Sequence, residues 1–324
     1  VECKAIVVAD QFKGSNYVDI LRDIAPELDK AEPGNLSAQR LPHLKLVICL
    51  SAEPQNGMYR FQDVTKTTGV SKNLPLEQTL DPDDPINIQF TSGTTGLPKG
   101  ATLTHLNIVN NAYFVGQAMK LTERDRLCIP VPLYHCFGMV MGVLTCATHG
   151  AAMIFPGEGF DAGEVLHAIT VERCTALHGV PTMFIAELDH GAFASTNFSS
   201  LRTGIMAGAP CPIEIMKRVQ QDMHMPEVTI AYGMTETSPV SFQSGTEDPI
   251  EKRVSTVGRI HPHVQVKIVN ETGDVVARGT RGELCTRGYS VMQGYWNDSE
   301  KTTDSIDSSG WMHTGDLATL DDEG

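Results

Sequence analysis

Long apolar runs, paired cysteines and clustered basic residues are all missing from this 324-residue chain. Each absence closes off a class. No stretch approaches the ~20 apolar residues that a membrane-spanning helix needs, so no transmembrane segment is expected. The eight cysteines are scattered singly with no C-x-x-C pair, which gives no support to a zinc ribbon or a thioredoxin-like motif. Reduced, partly buried thiols are expected instead. His261-Pro-His263 has no nearby third ligand and reads as a loop before a strand, so no transition metal is assigned. Lys and Arg number 25 against 39 Asp and Glu, a formal charge of −14. Without a dense basic run, no nucleic-acid partner is expected. No Ser-His-Asp or Cys-His nucleophile set stands out, which weakens a hydrolase reading. The N-terminus, Val1-Glu-Cys-Lys4, carries no signal-peptide pattern, and neither repeats nor low-complexity segments occur.

What is present is ordinary globular material, 41% hydrophobic and 20% charged, enough to bury a large core in two subdomains. Strand-like runs at Ala5-Ile-Val-Val-Ala9 and Leu46-Val-Ile-Cys-Leu50 flank a helical pattern over 17–24, and such alternation predicts a parallel α/β sheet. A second alternation follows, with strands at Ala152-Met-Ile-Phe155, Thr203-Gly-Ile-Met206 and Val228-Thr-Ile-Ala231 and helices over 163–171 and 213–223. Thr104 is placed to cap a helix over 106–119. Past residue 245 the pattern changes to short strands, Val264-Gln-Val-Lys-Ile-Val269 and 282–287, around a turn at Glu271-Thr-Gly-Asp274, which reads as a small β-barrel or sandwich. The expected divisions are a partial α/β subdomain at 1–85, an α/β nucleotide- and acyl-binding subdomain at 86–244 and a β-barrel-like subdomain at 245–324.

The most informative segment is Thr91-Ser-Gly-Thr-Thr-Gly-Leu-Pro-Lys99-Gly100, directly after the strand-like, buried-type run Ile86-Asn-Ile-Gln-Phe90. Glycines let backbone N–H groups turn toward an anion, the hydroxyls add donors and Lys99 adds a mobile positive charge. This is the composition of a phosphate-holding loop, expected between a strand and a helix as in other α/β proteins. A Walker A loop is excluded, because it needs Gly before the lysine and Ser or Thr after it, whereas Pro98 and Gly100 flank Lys99.

The loop resembles the signature of the adenylate-forming (AMP-binding, acyl-CoA synthetase) superfamily. Pro132-Leu-Tyr-His-Cys-Phe-Gly138, Gly208-Ala-Pro210, Ala231-Tyr-Gly-Met-Thr-Glu-Thr237, Gly282-Glu-Leu-Cys-Thr-Arg-Gly288 with Gly294-Tyr-Trp296, and Trp311-Met-His-Thr-Gly-Asp316 resemble further motifs in the family's order. The flanking text is most similar to that of its medium-chain fatty acyl-CoA ligases. The resemblance implies the family's N-terminal domain, layered α/β subdomains plus a distorted β-barrel. It also implies that Thr91, Ser92, Gly93, Thr94, Thr95, Gly96 and Lys99 hold the β- and γ-phosphates of ATP, Thr235 the α-phosphate, and Glu236 a Mg²⁺ ion. By the same resemblance Tyr232 and Gly233 face adenine together with the backbone of Gly208, Ala209 and Pro210. Asp316 accepts from both ribose hydroxyls, and His135 gates the carboxylate and acyl tunnel. Met139 and Met141, taken alone, read as ordinary core; beside an adenylation site they suit a channel for an aliphatic chain.

The function so implied is activation of a fatty acid to acyl-AMP with release of pyrophosphate, then transfer to CoA. Such a reaction needs positioning and charge neutralisation but no general base, since a carboxylic acid is already ionised near neutral pH. An adenylation domain that loads a carrier protein and a non-catalytic nucleotide-binding homologue are the alternatives. The family's hinge and C-terminal domain are expected beyond Gly324 and part of its N-terminal domain before Val1, leaving this chain a weak catalyst alone. The resemblance points to an intracellular, mitochondrial setting; chain length of the acid and oligomeric state stay open.

Overall fold

In a computed structural model, which describes residues 1–66, 80–91 and 97–324, the chain forms two compact units, Val1–Thr79 and Leu80–Gly324. In the first, β1 (Ala5–Val8), β2 (Leu46–Cys49) and β3 (Tyr59–Arg60) pair in parallel in that order. Parallel neighbours need a crossover, and helix α1 (Tyr17–Ile24) lies in the first one. Asn16 starts the helix by accepting the Asp19 N–H at 3.0 Å. Val18 and Leu21, three residues apart on one face, then pack with Leu28, Val47 and Cys49.

The larger unit opens with an antiparallel hairpin, β4 (Pro85–Thr91) and β5 (Lys99–Thr104), and runs on into helix α2 (His105–Ala118). This corrects the expectation that the 91–100 loop joins a strand to a helix: it joins two strands. Lys99 and Gly100 disguise β5, yet Ala101 and Leu103 alternate with Thr102 and Thr104, the period of a strand. A second correction concerns β4. Its apolar run does not make it a buried strand: β4 is an edge strand, and Ile86 and Phe90 are 45% and 60% exposed. Thr104 caps α2 as expected, in a reciprocal box in which its hydroxyl accepts the Asn107 N–H and Asn107 Oδ1 accepts the Thr104 N–H at 2.8 Å.

The main sheet contains β6 (Arg126–Cys128), β7 (Ala152–Ile154), β8 (Ala176–Gly179), β9 (Thr203–Ala207), β10 (Glu227–Gly233), β11 (Val240–Gln243) and β12 (Arg259–Ile260). Its order is β12–β11–β10–β9–β8–β6–β7, with β7 to β10 and β6 parallel and the last two strands antiparallel at one edge. Helices cover both faces. Leu127, Ala176 and Ile205 point toward α2, meeting Val115 and Met119. Their chain neighbours Cys128, Leu177 and Met206 point the other way, toward helices α3 (Ala162–Glu172), α4 (Pro181–Leu188) and α5 (Ile213–Asp222). Burial on both faces is why these strands read as continuous apolar runs. A separate antiparallel sheet, β13 (Val264–Val269), β14 (Gly282–Gly288) and β16 (Met312–Ala318), follows, while β15 (Gly294–Tyr295) adds a third strand to the hairpin, in the order β15–β5–β4.

One residue of α4 breaks the pattern. Glu187 is fully buried beside Cys128, and among the described residues neither carboxylate oxygen has a hydrogen-bond partner. Burial pushes its pKa well above the ordinary 4.5. The fold therefore binds a proton that the unfolded chain releases, and stability falls as pH rises above the unfolded-state value toward the folded one. Glu187→Met is expected to raise the thermal midpoint at pH 7, and the advantage over wild type should shrink on acidification to pH 5. Calorimetry at both pH values, wild type against variant, checks this; a variant less stable at pH 7 would refute it.

Candidate active site

The parallel strands share one carboxyl edge, where ligands gather in open α/β sheets, and the motif residues lie there. Gly208 follows the end of β9, Tyr232 and Gly233 end β10, and Thr235 and Glu236 form the short turn beyond. A cavity of about 350 Å³ opens among them, closed on its other side by His135, Cys136, Phe137 and Met141. The last two belong to a π-helix, Phe137–Leu144, a wide form that recurs at functional sites. His178 of β8 donates from Nε2 to the Met141 carbonyl at 3.0 Å and accepts the Ile205 N–H on Nδ1 at 3.2 Å, fixing the π-helix to the sheet. Burial lowers the His178 pKa to about 4, so the ring is neutral.

Backbone geometry accounts for two glycines. Gly208 has φ of +88°, a conformation that costs other residues energy. At Gly233 a Cβ would lie 1.7 Å from the Pro239 carbonyl oxygen, because the chain doubles back there. Ala209 and Pro210 lie on the exposed turn beyond Gly208.

Lys99 is brought to this edge by a residue to which the sequence reading gave no role. Its Nζ donates to Tyr295 Oη at 2.9 Å, and that hydroxyl donates to Glu236 Oε1 at 2.7 Å. Lys99 Nζ also lies 4.4 Å from the Tyr295 ring centroid. Tyr295 is 5% exposed; burial and the Glu236 carboxylate both push its phenol pKa up. The only signal in the sequence was its place in Gly294-Tyr-Trp296. Thr91 pairs with Lys99 across the hairpin, and its hydroxyl is buried without a partner among the described residues. Ser92, Gly93, Thr94, Thr95 and Gly96 lie outside the described residues.

Asp316 joins the site through Tyr232, whose hydroxyl donates to Asp316 Oδ2 at 2.5 Å. Burial and that carboxylate raise the Tyr232 pKa. His135 accepts the Phe137 N–H on Nδ1 at 3.0 Å, which leaves the proton on Nε2, and partial burial lowers its pKa. Cys136 Sγ lies 3.7 Å from His135 Nδ1 and 3.7 Å from Thr235 Oγ1. Burial pushes this thiol up to about 11. A protonated thiol beside an imidazole nitrogen already occupied by the backbone is not an activated nucleophile. Beside His135 and the protonated Cys136, the polar set among the described residues is Lys99, hydroxyls and carboxylates, hard-oxygen chemistry that fits Mg²⁺ and phosphate.

The family model described as AMP-binding enzyme matches residues 1–296. The chain belongs to that family. It is 49% identical over 327 residues to YngI of Bacillus subtilis (strain 168), a protein whose name assigns it provisionally to the acyl-CoA synthetases, with 100% of this chain and 59% of that protein covered. It is 44% identical over 333 residues to the medium-chain acyl-CoA ligase ACSF2, mitochondrial, of Mus musculus, covering 100% of this chain and 54% of that one. Among solved structures, O-succinylbenzoate coenzyme A synthetase (MenE) from Bacillus subtilis in complex with AMP matches with a TM-score of 0.72 and 26% identity, over 86% of this chain and 56% of that one. The adenylate-forming N-terminal fold expected from the motifs is therefore the fold of this chain, which spans between half and three-fifths of the length of the curated relatives it matches. Among the described residues no helix is long and apolar enough to cross a membrane.

Gly233→Ala is expected to destabilise the larger unit by about 1–3 kcal/mol, the usual cost of forcing extra volume into a packed position. Urea unfolding of the two proteins measures it; an unchanged midpoint would mean that the backbone relaxes around the methyl group.

Proposed function

We propose that this chain is the nucleotide- and acyl-binding part of an ATP-dependent fatty acyl-CoA ligase, acting on medium-chain acids. The carboxylate oxygen attacks the α-phosphorus of ATP, the bond to pyrophosphate breaks, and the acyl-AMP so formed is later attacked by the CoA thiol in the whole protein. The observation that carries this reading is the Lys99–Tyr295–Glu236 bridge, which ends at a cavity holding Thr235, Tyr232 and Gly208 with no activated nucleophile.

In this reading Lys99, with Thr91 and the hydroxyls of the loop, neutralises the β- and γ-phosphates, and Thr235 contacts the α-phosphate. Glu236 would hold Mg²⁺, which when bound spreads the charge of the phosphate oxygens. Tyr295 positions the Glu236 carboxylate and the Lys99 ammonium relative to each other. Tyr232 with Gly233 packs against adenine, and Asp316 accepts from the ribose. His135 and Met141 line the cavity where an aliphatic chain would enter; neither Phe137–Leu144 nor His178-Gly-Val-Pro-Thr-Met-Phe184 carries an acidic side chain to recognise an amino-acid ammonium. The medium-chain preference and a mitochondrial setting are read from the name of the ACSF2 relatives.

The test is ATP–pyrophosphate exchange by the full-length protein, with this chain in parallel, over straight-chain acids from short to long, amino acids and an aryl acid. Exchange peaking at medium-chain acids is expected; no exchange with any acid despite nucleotide binding would overturn the proposal, and an amino-acid preference would favour a carrier-loading domain. In the full-length protein Lys99→Ala and Glu236→Gln should each lower kcat/KM for ATP by about 100-fold, as for loss of a group that stabilises developing charge. Tyr295→Phe removes two hydrogen bonds to charged groups, from Lys99 and to Glu236, each worth about 1.5–3 kcal/mol, and should raise the Mg²⁺ concentration needed for half-maximal exchange by about tenfold or more. KM for the acid should stay unchanged. A shift in the acid KM alone would place Tyr295 in the acyl channel instead.

A further inference from the structure

Three side chains with metal-binding atoms converge on the β13–β14–β16 sheet, whose strand β16 also carries Asp316, but outside the cavity. Glu283 and Cys285 stand two residues apart on β14, on one face, and His313 lies directly opposite Cys285 on β16. The ligand atoms of all three lie within 4.8 Å of one another. His313 Nδ1 is 2.8 Å from Glu283 Oε2 and 3.6 Å from Cys285 Sγ. We propose that Glu283, Cys285 and His313 form a binding site for a thiophilic divalent transition ion of the Zn²⁺ class, with one coordination position open to solvent.

The distances suit such an ion. Tetrahedral zinc, with bonds of about 2.3 Å to sulfur and about 2.0 Å to nitrogen or oxygen, sets its sulfur and nitrogen ligands about 3.6 Å apart and its nitrogen and oxygen ligands about 3.3 Å apart. The sulfur–nitrogen separation already has that value, and the carboxylate needs to retreat by only about half an ångström. Cys285 is buried while the Glu283 and His313 side chains are 31% and 33% exposed, so the sulfur forms the floor and the open position faces water. Thiolate with imidazole selects zinc-like ions over magnesium, which separates this site from the all-oxygen chemistry around Glu236. Asp307 Oδ2 lies 3.9 Å from His313 Nε2, too far for a hydrogen bond but near enough for a small side-chain rotation to let it accept the Nε2 proton of a ligating imidazole. Lys267 pairs with Cys285 from β13, but its Nζ lies over the Trp311 ring, 4.6 Å from the centroid. As the metal–sulfur bond forms, the Cys285 proton leaves to solvent, and the Nδ1 proton that His313 donates to Glu283 is exchanged through water for one on Nε2, which frees both Nδ1 and the Glu283 oxygen for the metal.

Sequence spacing did not point to this group, since His313 lies 28 residues from Cys285 and no C-x-x-C or His cluster marks it. Titration of the metal-free chain with Co²⁺ provides the test. One equivalent should produce the near-ultraviolet absorption of a thiolate–cobalt bond and the intense visible bands of a tetrahedral site, both displaced by Zn²⁺. Cys285→Ser should abolish the ultraviolet band, and His313→Gln and Glu283→Gln should each weaken binding at least tenfold while leaving the circular dichroism of the fold intact. Cys3→Ser, at the exposed thiol, should change nothing. Absence of the band in the wild-type chain, or its survival in Cys285→Ser, would overturn the proposal. If Cys285→Ser does not fold, the Glu283 and His313 variants decide, and undiminished affinity in both would refute it.

Discussion

A single guanidinium holds the amino edge of the main sheet together. Arg202, just ahead of β9, donates from Nη2 to Asp125 Oδ2 at 2.8 Å and from Nη1 to Glu227 Oε2 at 2.6 Å, and also to the Lys120 carbonyl at 2.8 Å. Asp125 in turn accepts the Thr175 hydroxyl at 2.7 Å and the Thr122 N–H at 2.8 Å. Burial alone would raise the Asp125 pKa, but hydrogen bonds from Arg202, Thr175 and Thr122 outweigh it and hold the carboxyl below its usual range. Because these residues directly precede or begin β6, β8, β9 and β10, the network sets where each strand starts. From that common start β9 and β10 run in register out to the site, with Ala207 opposite Ala231. The register that brings Gly208 beside the end of β10 is therefore set at the opposite edge from the one that carries them.

Helix α2 adds the second constraint. Asn111 makes a two-way contact with Val240, Nδ2 to the carbonyl at 2.7 Å and Oδ1 from the N–H at 3.1 Å. One turn earlier, Asn107 donates to the Val291 carbonyl at 3.1 Å. Two amides on one helix thus tie the hairpin's helix to β11 and to the segment leading into β15. The loop lysine, the turn carboxylate and Tyr295 come from three distant parts of the chain, and this helix is their common support.

The sequence was most readable where chemistry is local. Hydroxyls, glycines and a lysine within ten residues, or Tyr-Gly-Met-Thr-Glu on consecutive positions, identify themselves without a fold, and Tyr232, Gly233, Thr235, Glu236, Gly208 and His135 line one cavity. Alternating apolar strands and capped helices were likewise legible for 17–24 and from residue 152 onward, because period and capping are short-range properties. Four features were not. Strand β5 was hidden by Lys99 and Gly100, whose strand pairing depends on a partner and not on propensity. Phe137–Leu144 is apolar all round, so no periodicity betrays its wide turn. Tyr295 and Glu187 owe their importance to what surrounds them: a phenol that links two charged groups, and a carboxyl buried beside Cys128 of the sheet.

The bridge that closes the site spans an unusual distance along the chain. Lys99 and Tyr295 are 196 residues apart, and β15 pairs with β5 across a similar gap. Contacts of such range gain nothing until most of the intervening chain is ordered, since the entropy of closing the loop must be met first. During synthesis the hairpin leaves the ribosome long before its third strand exists, whereas the parallel sheet between them can assemble from its own neighbours. Order of assembly therefore runs from scaffold to site: the groups that would meet the nucleotide come together only after the sheet that supports them has formed.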